Sequence, residues 1–120
     1  MKIIITGGAG FIGSSVIRNI LNTTEHTVIN IDSLTYAGDL SRLEECADSK
    51  KYFFENVDIC NIEGLTKIFD IYRPSLVMHL AAESHVDRSI EDPGLFMTTN
   101  IIGTYNLLEV SRVYFEKHCK

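Results

Sequence analysis

The sequence has no apolar stretch near 20 residues, no cluster of lysine and arginine, and no Cys-x-x-Cys pair. Each absence closes a class of function. A membrane-spanning helix needs about 20 consecutive apolar residues. The run at residues 3–5 is also too short for a signal-peptide core, so the expected setting is the cytoplasm. Lysine and arginine total 11 against 16 aspartates and glutamates, a formal net charge of −5. Without a basic stripe, neither nucleic acid nor an anionic membrane is an expected partner. Cys46, Cys60 and Cys119 are odd in number and far apart, which points to reduced thiols rather than a disulfide framework. His26, His79, His85 and His118 stand at no metal-ligand spacing to them, so no metal site is expected. Repeats, low-complexity tracts and linkers are also lacking, and 120 residues with 45% hydrophobic content suit one domain at most.

What is present is a glycine-rich turn in a telling place. Residues 6–13 read Thr-Gly-Gly-Ala-Gly-Phe-Ile-Gly and follow directly on Ile3, Ile4 and Ile5. Gly8, Gly10 and Gly13 match a three-glycine spacing that allows a tight turn, close approach of backbone to a diphosphate, and packing of helix on strand. A strand feeding a helix through such a turn presents bare N–H groups and the positive end of the helix dipole to an anion. Behind it, Ile12, Val16, Ile17, Ile20 and Leu21 recur at helical period, with Ser14, Ser15, Arg18, Asn19 and Asn22 expected on the opposite, polar face. A second strand at residues 28–31 ends at Asp32, about 20 residues beyond the glycines, where a carboxylate accepts from ribose hydroxyls. The same charge repels a 2′-phosphate, and Ser33 replaces the arginine that could bind one. NAD is therefore expected over NADP. The bland reading, a glycine turn and a surface aspartate with no ligand, leaves this ordering of elements unexplained.

Strand and helix signals then alternate. A loop at 33–38 leads to a short helix carrying Leu40, Leu43 and Glu44; a third strand runs from Tyr52 to Asp58; Asn61 caps a helix with Ile62, Leu65, Ile68, Phe69 and Tyr72 on one side. Arg73-Pro74 breaks that helix, and residues 76–80 form an apolar fourth strand. Pro93 suits a helix start, with Phe96, Ile101, Ile102, Tyr105, Leu108 and Val110 in one long helix reaching Glu116. The expected fold is α/β: a doubly wound, parallel, Rossmann-like sheet of about four strands in the order 3-2-1-4 with flanking helices. The ligand crevice would lie between the ends of strands one and four. There the chain is chemically dense: Ala81 and Ala82 let a ring approach the backbone, and residues 83–88 pack four ionisable groups and a hydroxyl into one loop. Taken singly, His85 is equally a surface histidine and Asp87 a turn cap.

These residues resemble a known family. The turn at 6–13, Asp32 with Leu34-Thr35-Tyr36-Ala37-Gly38, Asp58-Ile59 and above all the run His-Leu-Ala-Ala-Glu-Ser-His-Val-Asp-Arg-Ser at 79–89 are similar to the N-terminal part of the dTDP-glucose 4,6-dehydratases, extended short-chain dehydrogenases/reductases. The glycine run alone fits sugar-nucleotide epimerases and decarboxylases too; the 81–89 run is more specific. The resemblance implies NAD as cofactor and dTDP-glucose as small-molecule partner. It implies cofactor binding by Gly7, Gly10, Phe11, Ile12 and Gly13 at the pyrophosphate, by Asp32, Ser33, Leu34 and Thr35 around the adenosine ribose, and by Asp58 and Ile59 beside adenine. Leu80, Ala81, Ala82, Glu83 and Ser84 would line the nicotinamide half, Ser84 also touching the sugar nucleotide, and Thr99 would reach the cofactor from the last helix. The family oxidises the sugar at C4, eliminates water across C5 and C6 and returns the hydride to C6, using a Tyr-x-x-x-Lys and an Asp/Glu pair. None of these is expected among residues 1–120, since Tyr114 is followed by Lys117 and His118, out of register. The expectation is an N-terminal portion without the substrate domain, inactive by itself and self-associating through its fourth strand or last helix. A non-catalytic nucleotide-binding or partner-binding piece is the reading from another class.

Overall fold

The computed structural model describes residues 1–35, 38–84 and 86–119. Tyr36, Ala37 and His85, named above, lie outside the described residues. Four strands, β1 (Lys2–Thr6), β2 (Thr27–Ile31), β3 (Tyr52–Glu55) and β4 (Leu76–His79), form one parallel sheet in the order β3-β2-β1-β4. β1 pairs with β2 from Lys2↔Thr27 to Thr6↔Ile31 and with β4 from Ile3↔Leu76 to Thr6↔His79.

The apolar run in β1 is buried from both sides because side chains alternate across the sheet. Ile4, Ile29 and Ile31 pack with Leu65, Ile68 and Phe69 of α2 (Ile62–Tyr72) and with Leu107 and Val110 of α5 (Thr104–His118). Ile3, Ile5 and Val28 face the other way, onto Ile17 of α1 (Phe11–Thr23) and onto Leu43 and Cys46 of a 3₁₀ segment, Leu40–Cys46. The result is three layers with the core split in two by the sheet.

Helix ends follow local chemistry. Asn61 caps α2 by accepting from the Gly64 amide, as the sequence predicts. Arg73 closes it with a left-handed φ of 53°, its amide donating to Phe69, before Pro74. Asp92 caps α4 (Pro93–Met97), with proline in the first turn. α3 (Val86–Glu91) precedes it, and Asp87 lies in its first turn.

Three expectations need correction. The third strand stops at Glu55, where the Val57 amide turns back to the Glu55 carbonyl. The single long helix is α4 and α5 joined by a π-helical segment, Thr98–Gly103. In α1, Ile12 is 67% exposed and Ser14 only 1%, the reverse of the periodicity. The first turn of α1 overhangs the strand ends instead of lying on the sheet, and Ser14 is reconciled to burial by donating to the Phe11 carbonyl.

Tyr72 closes the last turn of α2 by donating its hydroxyl to Glu55 at 2.7 Å and laying its ring 5.4 Å from that of Phe53. Burial first, then the adjacent Glu55 carboxylate, pushes its phenol up to about 12. Because the folded chain holds this proton more tightly than the unfolded one, the stabilisation is complete below the ordinary tyrosine range near about 10 and is lost as pH rises through 12. Melting temperature is expected to fall over that window, and to fall less steeply in Tyr72→Phe; equal slopes in circular-dichroism melts would contradict the assignment.

Candidate functional site at the switch point

α1 leaves the sheet on one side of β1, and the chain after β4 leaves on the other, so the ends of these strands open into a crevice. A cavity of about 440 Å³ occupies it. Gly7, Gly10, Phe11, Ile12 and Gly13 form one wall; Asp32, Ser33 and Thr35 with Asp58 and Ile59 form the end beyond β2 and β3; Leu80, Ala81, Ala82, Glu83 and Ser84 line the opposite end, with Thr99 above them. Every residue that the sequence assigns to the cofactor lines it except Leu34. Leu34 contributes its amide instead, donating to Asp32 Oδ1 at 2.8 Å from a left-handed φ of 56°.

The glycine turn is built by close approach. Gly7 has φ +73°, and a Cβ there would stand 2.7 Å from the Ala81 backbone. A Cβ on Gly13 would strike the Gly7 carbonyl, and one on Gly8 the side chain of Asn30. Gly10 differs: among the described residues its Cβ would meet only the Gly7 carbonyl, at 3.3 Å. Gly10 is also the N-cap of α1, makes no side-chain capping bond, and is followed by no acid in the first turn. The first amides of α1 therefore keep the unsatisfied donors and positive dipole end that every helix N-terminus carries. Across the mouth, Asp32 Oδ2 accepts from the Ala9 amide at 2.9 Å, which ties the tip of β2 to the turn and aims the carboxylate along the cavity edge. Bare donors at one point, an anchored carboxylate at another and small residues at the third make a cradle that fits the diphosphate, ribose and ring of a dinucleotide.

Glu83 is only 7% exposed. Its main chain is held from both sides by Asn100, whose Oδ1 accepts from the Glu83 amide at 2.8 Å and whose Nδ2 donates to the Glu83 carbonyl at 2.9 Å. Asn100 and Thr99 lie in the π-helical segment, a device that re-aims side chains by one extra residue per turn. Asn100 escaped the sequence reading, as did Arg42, which lines the cavity and donates from Nη1 to the Ala9 carbonyl at 3.0 Å. No motif marks either. Tyr114 lies away from the crevice: its hydroxyl donates to the Pro74 carbonyl at 3.1 Å and its ring packs edge-on to Phe69. Among the described residues, no three His, Cys, Asp or Glu side chains converge as metal ligands.

Fold and crevice together define a Rossmann-like α/β domain of the extended dehydrogenase/reductase kind. The chain belongs to the family described as GDP-mannose 4,6 dehydratase, whose model matches residues 4–120. It is 60% identical over 115 residues to the dTDP-glucose 4,6-dehydratase of Salmonella typhimurium, covering 96% of this chain and 32% of that protein. Two solved structures are similar in three dimensions. The dTDP-glucose 4,6-dehydratase of Streptomyces venezuelae, with NAD bound, superposes with a TM-score of 0.87 at 38% identity, over 92% of this chain and 35% of that one. The UDP-glucose 4-epimerase of Thermotoga maritima, with UDP-glucose, gives 0.85 at 38% identity, over 95% and 35%. The chain spans about a third of the length of the curated relatives it matches.

Gly7 and Gly10 divide two duties that substitution separates. Gly7→Ala, forced into a left-handed conformation and onto the Ala81 backbone, is expected to lose about 2 kcal/mol or more in urea unfolding. Gly10→Ala is expected to stay within about 1 kcal/mol of the parent while placing a methyl group in the crevice. Equal losses would show that the two glycines do the same work.

Proposed function

We propose that the chain is the NAD-binding portion of a dTDP-glucose 4,6-dehydratase. The single observation that carries the reading is the uncapped mouth of α1 set opposite the anchored Asp32 carboxylate, within a family match over residues 4–120. In this reading the amides of Phe11 and Ile12 hold the pyrophosphate, with Gly7, Gly10 and Gly13 allowing its approach. Asp32 accepts from the adenosine ribose beside Ser33, Leu34 and Thr35, while Asp58 and Ile59 flank adenine. Leu80 to Glu83 and Thr99 enclose the nicotinamide half, and Ser84 meets the sugar nucleotide. Bound NAD would supply the hydride acceptor, and later the donor, for an oxidation, dehydration and reduction on one sugar. The residues described here bind and orient; none forms the Tyr-x-x-x-Lys pair of that chemistry. The second reading, a sugar-nucleotide 4-epimerase, has support in the Thermotoga maritima likeness, but the run at 83–89 favours the dehydratase.

The three cysteines are free thiols and no described helix is long and apolar enough to cross a membrane, in keeping with a cytoplasmic setting. Ile101, Tyr105, Leu108 and Phe115 recur at helical spacing and are all exposed, a stripe suited to pairing with a second copy. Light scattering of the intact protein should then report an oligomer; a monomer across a wide concentration range would remove that part of the proposal.

The central test uses the intact protein. NAD is expected to bind about tenfold more tightly than NADP, the scale of repulsion between Asp32 and a 2′-phosphate in a partly solvated site. Asp32→Asn should narrow that gap and weaken NAD. With dTDP-glucose and NAD the expected product is the 4-keto-6-deoxy sugar nucleotide. A 4-epimer instead would favour the second reading, and no affinity for NAD would overturn both.

A further inference from the structure

Thr6 ends β1 and His79 ends β4, and the two are paired in register. Thr6 is fully buried, and its Oγ1 sits at the centre of three contacts: the Leu80 amide at 3.1 Å, the Ala81 amide at 3.1 Å and His79 Nδ1 at 2.6 Å. A hydroxyl has one proton and two lone pairs. The Ala81 amide fills one; the Leu80 amide is shared between this oxygen and the Thr6 carbonyl, which is also 3.1 Å away. The direction of the row is set from its far end, where the Thr104 hydroxyl gives its proton to the Asn100 carbonyl at 2.8 Å and so accepts from the ring. The ring proton is then on Nε2, which lies 2.9 Å from Thr104 Oγ1. Asn100 in turn clamps the main chain of Glu83. With the ring proton on Nε2, Nδ1 is bare and accepts from the Thr6 hydroxyl, so the row runs in one direction.

We propose that His79 is a positioning residue: held as its Nε2–H tautomer between the hydroxyls of Thr6 and Thr104, it fixes the backbone of residues 80–83 against the glycine turn and so sets one wall of the crevice. Burial keeps the ring neutral, since desolvation lowers its proton affinity. A proton on Nδ1 would meet the Thr6 hydroxyl proton head-on. Thr6 would have to rotate, and its Oγ1 would give up the Leu80 or the Ala81 amide at the point where Gly7 touches Ala81, although Leu80 would keep the Thr6 carbonyl. The part of this claim that concerns cofactor affinity rests on the dinucleotide reading above; the part that concerns the ring does not.

Two measurements on the intact protein test it. Nitrogen-15 NMR of the imidazoles at neutral pH, with His79 assigned by its loss in His79→Asn, is expected to show a neutral ring protonated on Nε2; an Nδ1–H ring or a doubly protonated one overturns the proposal. His79→Phe keeps a flat ring but removes both hydrogen bonds. It is expected to speed amide exchange at Leu80 and Ala81 and to raise the Kd for NAD about tenfold, the cost of roughly one hydrogen bond. His79→Asn, which keeps an acceptor for Thr6, should recover part of each loss. A folded His79→Phe protein with parental exchange and parental Kd also overturns the proposal. If the parent itself shows no affinity for NAD, the functional reading fails, and the tautomer and exchange data alone decide the role of His79. If His79→Phe does not fold, the tautomer and His79→Asn decide it.

Discussion

The structure depends on how two parallel strands part company. β1 and β4 pair as far as Thr6 and His79, and then their continuations must leave to opposite faces of the sheet. At that fork the Leu80 amide still reaches the Thr6 carbonyl, but the Ala81 amide has no further strand to bond, and burying it unpaired would be costly. The chain solves this with one buried hydroxyl and one missing side chain. Thr6 takes the Leu80 and Ala81 amides, and Gly7 lets the turn pass against Ala81 at a distance no β-carbon would tolerate. The glycine turn, the aim of α1 and the small-residue wall at 81–82 all follow from that junction.

Much of this was legible in the sequence because it is written in short-range patterns. Short apolar runs mark β1, β2 and β4; helical period marks α1 and α2; Asn61 and Pro93 mark helix starts where the structure has them. The glycine spacing and the position of Asp32 place the crevice, since both are local consequences of a strand-turn-helix and a strand tip. Where the reading failed, a tertiary circumstance prevailed over a local rule. Periodicity assumes that a helix lies on its sheet for its whole length, but the first turn of α1 juts past the strand ends, leaving Ile12 in the open and Ser14 inside.

The polar row from Thr6 to Glu83 was invisible for a different reason. Its members are far apart along the chain, 73 positions between Thr6 and His79 and 25 between His79 and Thr104. No spacing rule joins them. The π-helical segment hides similarly: residues 98–103 read as ordinary helix, yet the extra residue there brings Thr99 over the cavity and Asn100 onto Glu83, while Leu107 and Val110 further on still face the sheet. An aligned dinucleotide fingerprint can thus be found from sequence while the scaffold that braces its far wall cannot.

Asp32 carries one last consequence. Each of its oxygens already accepts one main-chain N–H, from Ala9 on one side and Leu34 on the other. A carboxylate offers about four lone-pair directions, so among the described residues two stay open, held at fixed angles by the protein before any guest arrives. A vicinal diol needs two acceptors side by side. The acid can therefore greet such a pair without swinging its side chain, and the entropy of freezing that rotor is settled during folding rather than at binding.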